Sequence, residues 1–284
     1  MADATILDRE EYIEQTYFFR IFRERLAQGL VAQDLLERVH EEILSTTRLP
    51  FAIQFLATEL KHTGILAAGF ARLTHYFTAF QTFVIGQAER EGLRFSMPAA
   101  LLVLEREAQY RAGQISKAGL FVYQFEAISR NRLGYDAGLS AMTEDPYFDA
   151  DWRAYLDMVR RQVGVIDFGE LIFVRSEMYV QEERRHNPEY QPPVPPLFGE
   201  KEGKIARANR GRDPLFLFAA MQRQLGYPEV PRPKERDDTE SKLAALQTKI
   251  NVLEARLRLV ESEVRGQLDL SQFKPEMFKD LPDE

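Results

Sequence analysis

Seven apolar residues near the end of the chain, Leu243, Leu246, Ile250, Leu253, Leu257, Val260 and Val264, follow one another at intervals of 3, 4, 3, 4, 3 and 4. That alternation is the heptad spacing of a coiled coil, and it fixes both the secondary structure and the way the segment must be covered. Leu243, Ile250, Leu257 and Val264 take the a positions; Leu246, Leu253 and Val260 take d. Lys249 and Arg256 then stand at g, and Glu254 and Glu261 at e. In a parallel pair each g residue meets the e residue five positions on in the partner, so Lys249 faces Glu254 and Arg256 faces Glu261. Residues 237–267 are therefore expected to form a parallel coiled coil, making the protein a homo-oligomer. Val252 and Leu259 at c widen the apolar face, which leaves dimer and trimer both open, as well as a helix resting on its own body.

The rest of the chain reads as helical. Asp8 with Glu11 opens a first helix that Gly29 closes, and Ile13, Tyr17, Ile21, Phe18, Phe22 and Leu26 form its expected apolar stripe. A second helix, about 31–45, turns Leu35, Leu36, Val39 and Ile43 inward, and a third runs from 50 to 63 with Gly64 as its stop. Residues 65–91 are strongly apolar and aromatic and read as one buried helix. Ser96 starts another, which could reach 131 if Gly113 and Gly119 do not break it. Asp149 or Asp151 starts a helix bearing Trp152, and 164–180 fits either helix or strand, with helix preferred.

Composition shifts after residue 187. Nine of the 14 prolines lie between 188 and 233, with Pro192, Pro193, Pro195 and Pro196 nearly contiguous, a composition for extended chain. Inside this stretch Asp213, Pro214 and Gly226 delimit one helix, 213–225, expected to dock Phe216, Phe218 and Met221 on the body. The expected architecture is mainly α. It comprises a helical body over 1–186, a proline-rich arm with a docking helix over 187–236, a coiled coil over 237–267 and a polar tail over 268–284.

A net charge of -7 argues against general binding to nucleic acid or anionic membrane, and the absence of cysteine removes disulfides, thiolate chemistry and Cys-based zinc sites. The longest stretch without Asp, Glu, Lys or Arg, residues 73–88, is too short to span a bilayer. The acidic first residues lack the plan of a secretory signal, so a cytoplasmic protein is expected.

Glu-x-x-His occurs twice, at Glu37/His40 and Glu59/His62. In a helix this spacing sets carboxylate and imidazole on one face, and paired copies occur in carboxylate-bridged metal bundles. Helical phase places Glu37 toward solvent and Glu59 with His62 toward the apolar arc of Phe51, Phe55 and Leu56. Glu59 and His62 are therefore weak catalytic or metal candidates, and a shared site for the two pairs is not expected. The plainer reading of Glu59 is an ion pair with Arg72 or a hydrogen bond from Tyr76.

Asp167-Phe168-Gly169 lacks the companion loops of a kinase, and residues 199–204 lack the spacing of a phosphate loop. The basic run Lys201, Lys204, Arg207, Arg210 and Arg212 reads as a solvated face or an internal clamp, and Pro192 to Pro195 as a spacer or a ligand for an aromatic groove. No motif calls for a cofactor. The functional expectation is a structural or adaptor protein that self-associates through its coil and presents the body to protein partners. The alternative is an enzyme or ligand-binding protein with an aromatic-lined helical pocket, using Glu59 and His62 with His75 or Tyr76 as further members, and open to metal dependence through its Glu and His residues.

Overall fold

The computed structural model describes residues 6–90 and 95–232, together with residues 246, 247, 249, 250, 253, 254, 256 and 257. Two compact units divide the chain, residues 1–233 and 234–284. Among the described residues up to 232 there are thirteen α-helices, one short 3-10 segment and no strand, and the described residues from 246 to 257 are helical as well.

The first half of the larger unit is a layered helical packing. Helix α1 (Arg9–Ala27) lies along α6 (Met97–Ala112), with α2 (Ala32–Val39), α3 (Leu49–Thr63), α4 (Leu66–Arg72) and α5 (Ala79–Ala88) packed in succession around them. Residues 65–91, expected as one helix, form two. Thr78 is the reason: its hydroxyl accepts from Gln81 N while the Gln81 side chain accepts from Thr78 N, a capping box that restarts the helix. Phe77, in the break, is thereby turned into the core, stacked on Phe70 with ring centroids 4.1 Å apart.

Two helices also carry a different phase from the apolar pattern. On α1 the buried set is Glu11, Tyr12, Glu14, Gln15, Phe18, Phe19 and Phe22, while Ile13 is exposed. The inward polar groups serve the loop before α3. Glu14 accepts from Leu44 N, and Glu11 accepts from Arg48 N and from the Tyr76 hydroxyl at 2.7 Å. On α3 the buried residues are Leu49, Ala52, Ile53, Leu56, Ala57 and Glu59, and Phe51 is 72% exposed.

The second half is built on aromatics. Helix α7 (Lys117–Asn131) starts at the Ser116 cap after a break at Gly113 and is buried over most of its length. Around it stand α8 (Tyr135–Thr143), α9 (Ala150–Gln162) and α10 (Phe168–Phe173), followed by α11 (Glu177–His186). Within 164–180 the chain makes a turn up to Asp167 and is then helical in two short pieces, separated at Val174 to Ser176.

Past the exposed prolines the chain rejoins this core. The backbone N–H groups of Leu197 and Phe198 donate to Arg175 O, and Glu177 N donates to Phe198 O. The Phe198 ring then sits within 6.0 Å of Phe121, Trp152 and Tyr155. Helices α12 (Glu200–Ala208) and α13 (Pro214–Leu225) pack on α10 and α7, burying Leu217, Phe218 and Met221. Phe216, expected inside, is 65% exposed. Residues 226–232 are held down as well: Tyr227 donates to Glu126 and Phe218 O, Asn131 to Pro231 O, and Val230 is buried.

Candidate functional site

Glu59 sits where α4 crosses α3. Gly69 makes the close approach possible, because a Cβ there would stand 2.8 Å from Leu56 Cδ2 and 3.4 Å from Glu59 Cβ. The residue is buried, yet its carboxylate reaches the surface and pairs with Arg72, whose side chain is 64% exposed. The Arg72 hydrogen bond outweighs burial and lowers the Glu59 carboxyl below its ordinary range. This is the structural ion pair. Tyr76 does not join it, being committed to Glu11.

The pairing has a small expected effect. Glu59→Gln should lower the melting temperature only slightly at neutral pH, since a solvent-screened pair contributes little. A depressed carboxylate pKa adds stability above its unfolded value and loses it as pH falls. The difference between variant and wild type should therefore close in acid, as thermal melts across pH would register.

His62 lines an open groove of about 470 Å³ with Glu37, His40, Gln54, Thr58 and Lys61, a groove that Glu59 does not line. The two Glu-x-x-His motifs therefore do meet, through His62, Glu37 and His40, contrary to the phase expected for α3. Glu59, turned to Arg72, is the member left out. Among the described residues no group of three His, Asp or Glu side chains is placed to hold a metal ion. His75 is exposed, and it does not gather with Glu59 and His62 into an aromatic-lined pocket.

The most concentrated chemistry lies elsewhere, in a cluster that the sequence reading passed over. Glu107 and Arg111 are one turn apart on α6, on the same stripe as Ala100 and Leu104, and point into the core. Gln124 from α7 and Asp145 from the turn between α8 and α9 complete it. Arg111 Nη2 donates to Glu107 Oε1 at 2.7 Å and to Asp145 Oδ2, and Arg111 Nε donates to Glu107 Oε1 at 3.1 Å. Gln124 Nε2 donates to the same Glu107 oxygen at 2.8 Å. Tyr147 N donates to Asp145 Oδ1 at 3.0 Å, and the Tyr12 ring lies 5.8 Å from the guanidinium carbon.

All four polar side chains are buried. Desolvation is the largest influence on Glu107 and raises its pKa, with Arg111 opposing and Asp145 reinforcing. Arg111 alone of the four borders a small cleft, with Tyr12, Tyr147, Ile115 and Leu7, while Glu107, Gln124 and Asp145 lie behind it in the core. The visible signal was charge at i and i+4 on an otherwise apolar helical stripe.

The basic run is largely neutralised within the chain. Lys204 pairs with Glu200, Arg207 with Glu182, and Arg210 with Glu170 while lying 3.9 Å from the centre of the Phe173 ring. No protein-family model, curated protein or solved structure matches this chain. No helix among the described residues is long and apolar enough to cross a membrane.

Of the heptad residues, Leu246, Ile250, Leu253 and Leu257 are helical, and each is between 53% and 62% exposed. Leu243, Val260 and Val264 lie outside the described residues, as does the tail over 268–284.

Proposed function

We propose that the chain is a structural or adaptor protein that self-associates through residues 237–267 and presents its helical body, with the proline-rich segment, to protein partners. The observation carrying this reading is the exposure of Leu246, Ile250, Leu253 and Leu257, helical residues spaced 4, 3 and 4 apart. Four large aliphatic side chains left in water along one stripe represent unburied apolar surface, which a second copy with the same heptad would cover. The g-to-e matches Lys249–Glu254 and Arg256–Glu261 favour the parallel arrangement. Each such exposed pair contributes at most about 1 kcal/mol, so charge selects orientation while the leucines supply the stability.

The test is sedimentation of the full chain and of a truncation ending at Arg236. The full chain should sediment as a dimer or trimer at tens of micromolar, and the truncation as a monomer. A monomeric full chain, or a truncation with unchanged mass, removes the reading.

A further inference from the structure

We infer that Glu107 stands in the folded protein as a neutral carboxylic acid, its Oε2 hydroxyl donating to Gln124 Oε1, and that the junction of α6, α7 and the α8–α9 turn is a proton-linked latch.

Two observations lead there. The first is the direction of the donors. Arg111 Nε, Arg111 Nη2 and Gln124 Nε2 all converge on Glu107 Oε1, and Glu107 Oε2 has no partner. A guanidinium paired with an ionised carboxylate usually spreads its donors over both oxygens. Here one oxygen is treated as a carbonyl and the other is left where a hydroxyl would be. The second observation is that Gln124 Oε1 is also buried without a partner, although its own amide nitrogen donates to Glu107. Two orphan acceptors on joined side chains are a costly arrangement in a core. One proton on Oε2 removes both orphans, by closing a ring in which amide N–H donates to acid C=O and acid O–H donates to amide C=O.

The charges agree. Arg111 is the one cation in the cluster and Asp145 already holds it, so a neutral Glu107 brings the buried sum to zero. The other titratable groups facing the cluster are phenols: Tyr12 from α1, Tyr123 from α7 and Tyr147 from the α8–α9 turn. Burial raises the pKa of each and keeps it neutral, and a phenol supplies no positive charge in either form to offset a second carboxylate. Loss of the Glu107 proton would leave two anions against one guanidinium and restore both orphan acceptors.

The sign of the pH dependence follows. A carboxyl whose folded pKa lies above its unfolded value of about 4.3 binds a proton in the folded state that the unfolded chain has released. Its effect on stability is therefore unfavourable with rising pH, beginning near that value and levelling off beyond the folded pKa.

The experiment is infrared spectroscopy and thermal melting of the full chain and of Glu107→Gln. The wild type should show a protonated-carboxyl C=O band at neutral pH that is missing from the variant. The amide, as an isostere of the neutral acid, should melt within about 4 °C of wild type at neutral pH. It should also gain on wild type as pH rises from about 5 to about 9. An ionised, ion-paired Glu107 predicts instead a variant melting roughly 6–20 °C lower. That result, a variant that fails to fold, no protonated band, or a band that survives in the variant would each overturn the inference.

Discussion

Arg111→Met should destabilise the body by about 3–5 kcal/mol, because it removes the one cation from a fully buried cluster and leaves Asp145 uncompensated. Methionine fills much of the volume of the arginine stem, so the loss reflects charge and hydrogen bonding more than a cavity. The variant also strips two donors from Glu107 Oε1 and the bond to Asp145 Oδ2. Chemical denaturation at neutral pH reads the loss. A midpoint unchanged at neutral pH would show that the cluster is not held in the folded core by this arginine.

The same cluster shows where sequence reading stops. Helix existence was legible across most of the body, because caps and stops are local: Asp149, Asp213 and Gly226 do at their positions what their chemistry predicts, whereas the Ser116 cap was not read in advance. Gly226, for instance, takes a positive φ of 68° and closes α13 through its N–H to Gln222 O. Helix phase was less legible, and for a physical reason. An apolar stripe locates the buried face only when burial is decided by hydrophobicity. On α1 it is decided partly by hydrogen bonding, since Glu11, Glu14 and Gln15 turn inward to accept from the backbone of the following loop and from two distant side chains. The stripe through Ile13 was therefore displaced from the true face.

On α3 the error had a different source. Phe51 reads as core by composition, but the face is set by the close crossing of α4 at Gly69, which favours Ala52, Ile53 and Leu56. That rotation carries His62 outward to the groove with Glu37 and His40 and leaves Glu59 beside Arg72. Neither the crossing nor the cluster on α6 is encoded within one helix. Glu107 needs Gln124 and Asp145, 17 and 38 residues further on, and no local pattern announces that they meet. The return of Phe198 to the core after four prolines is likewise a tertiary fact, made by backbone bonds to Arg175 O.

Helix α13 offers a test with its control on the same turn. Phe218→Ala should cost about 3–5 kcal/mol, through lost transfer energy and the cavity left where one side cannot collapse. Its ring is 1% exposed and lies 5.7 Å from Phe168 and 6.2 Å from Phe125, which are themselves stacked at 3.9 Å. Removing it uncovers that stack, while the Tyr227 hydroxyl keeps its acceptors, the main-chain oxygen of residue 218 and Glu126, so the loss reports the ring alone. Phe216→Ala, two residues earlier and on the opposite side of the helix, should fall within about 0.5 kcal/mol of wild type, as surface substitutions do. Alanine also has the higher helix propensity, which offsets part of the small loss in contact area. The pair of denaturation midpoints separates burial from local sequence preference. Equal losses would place both rings at a surface and remove α13 from the core. A large loss for Phe218 alone is the outcome required if the chain beyond the prolines is part of the same folding unit as α7 and α10.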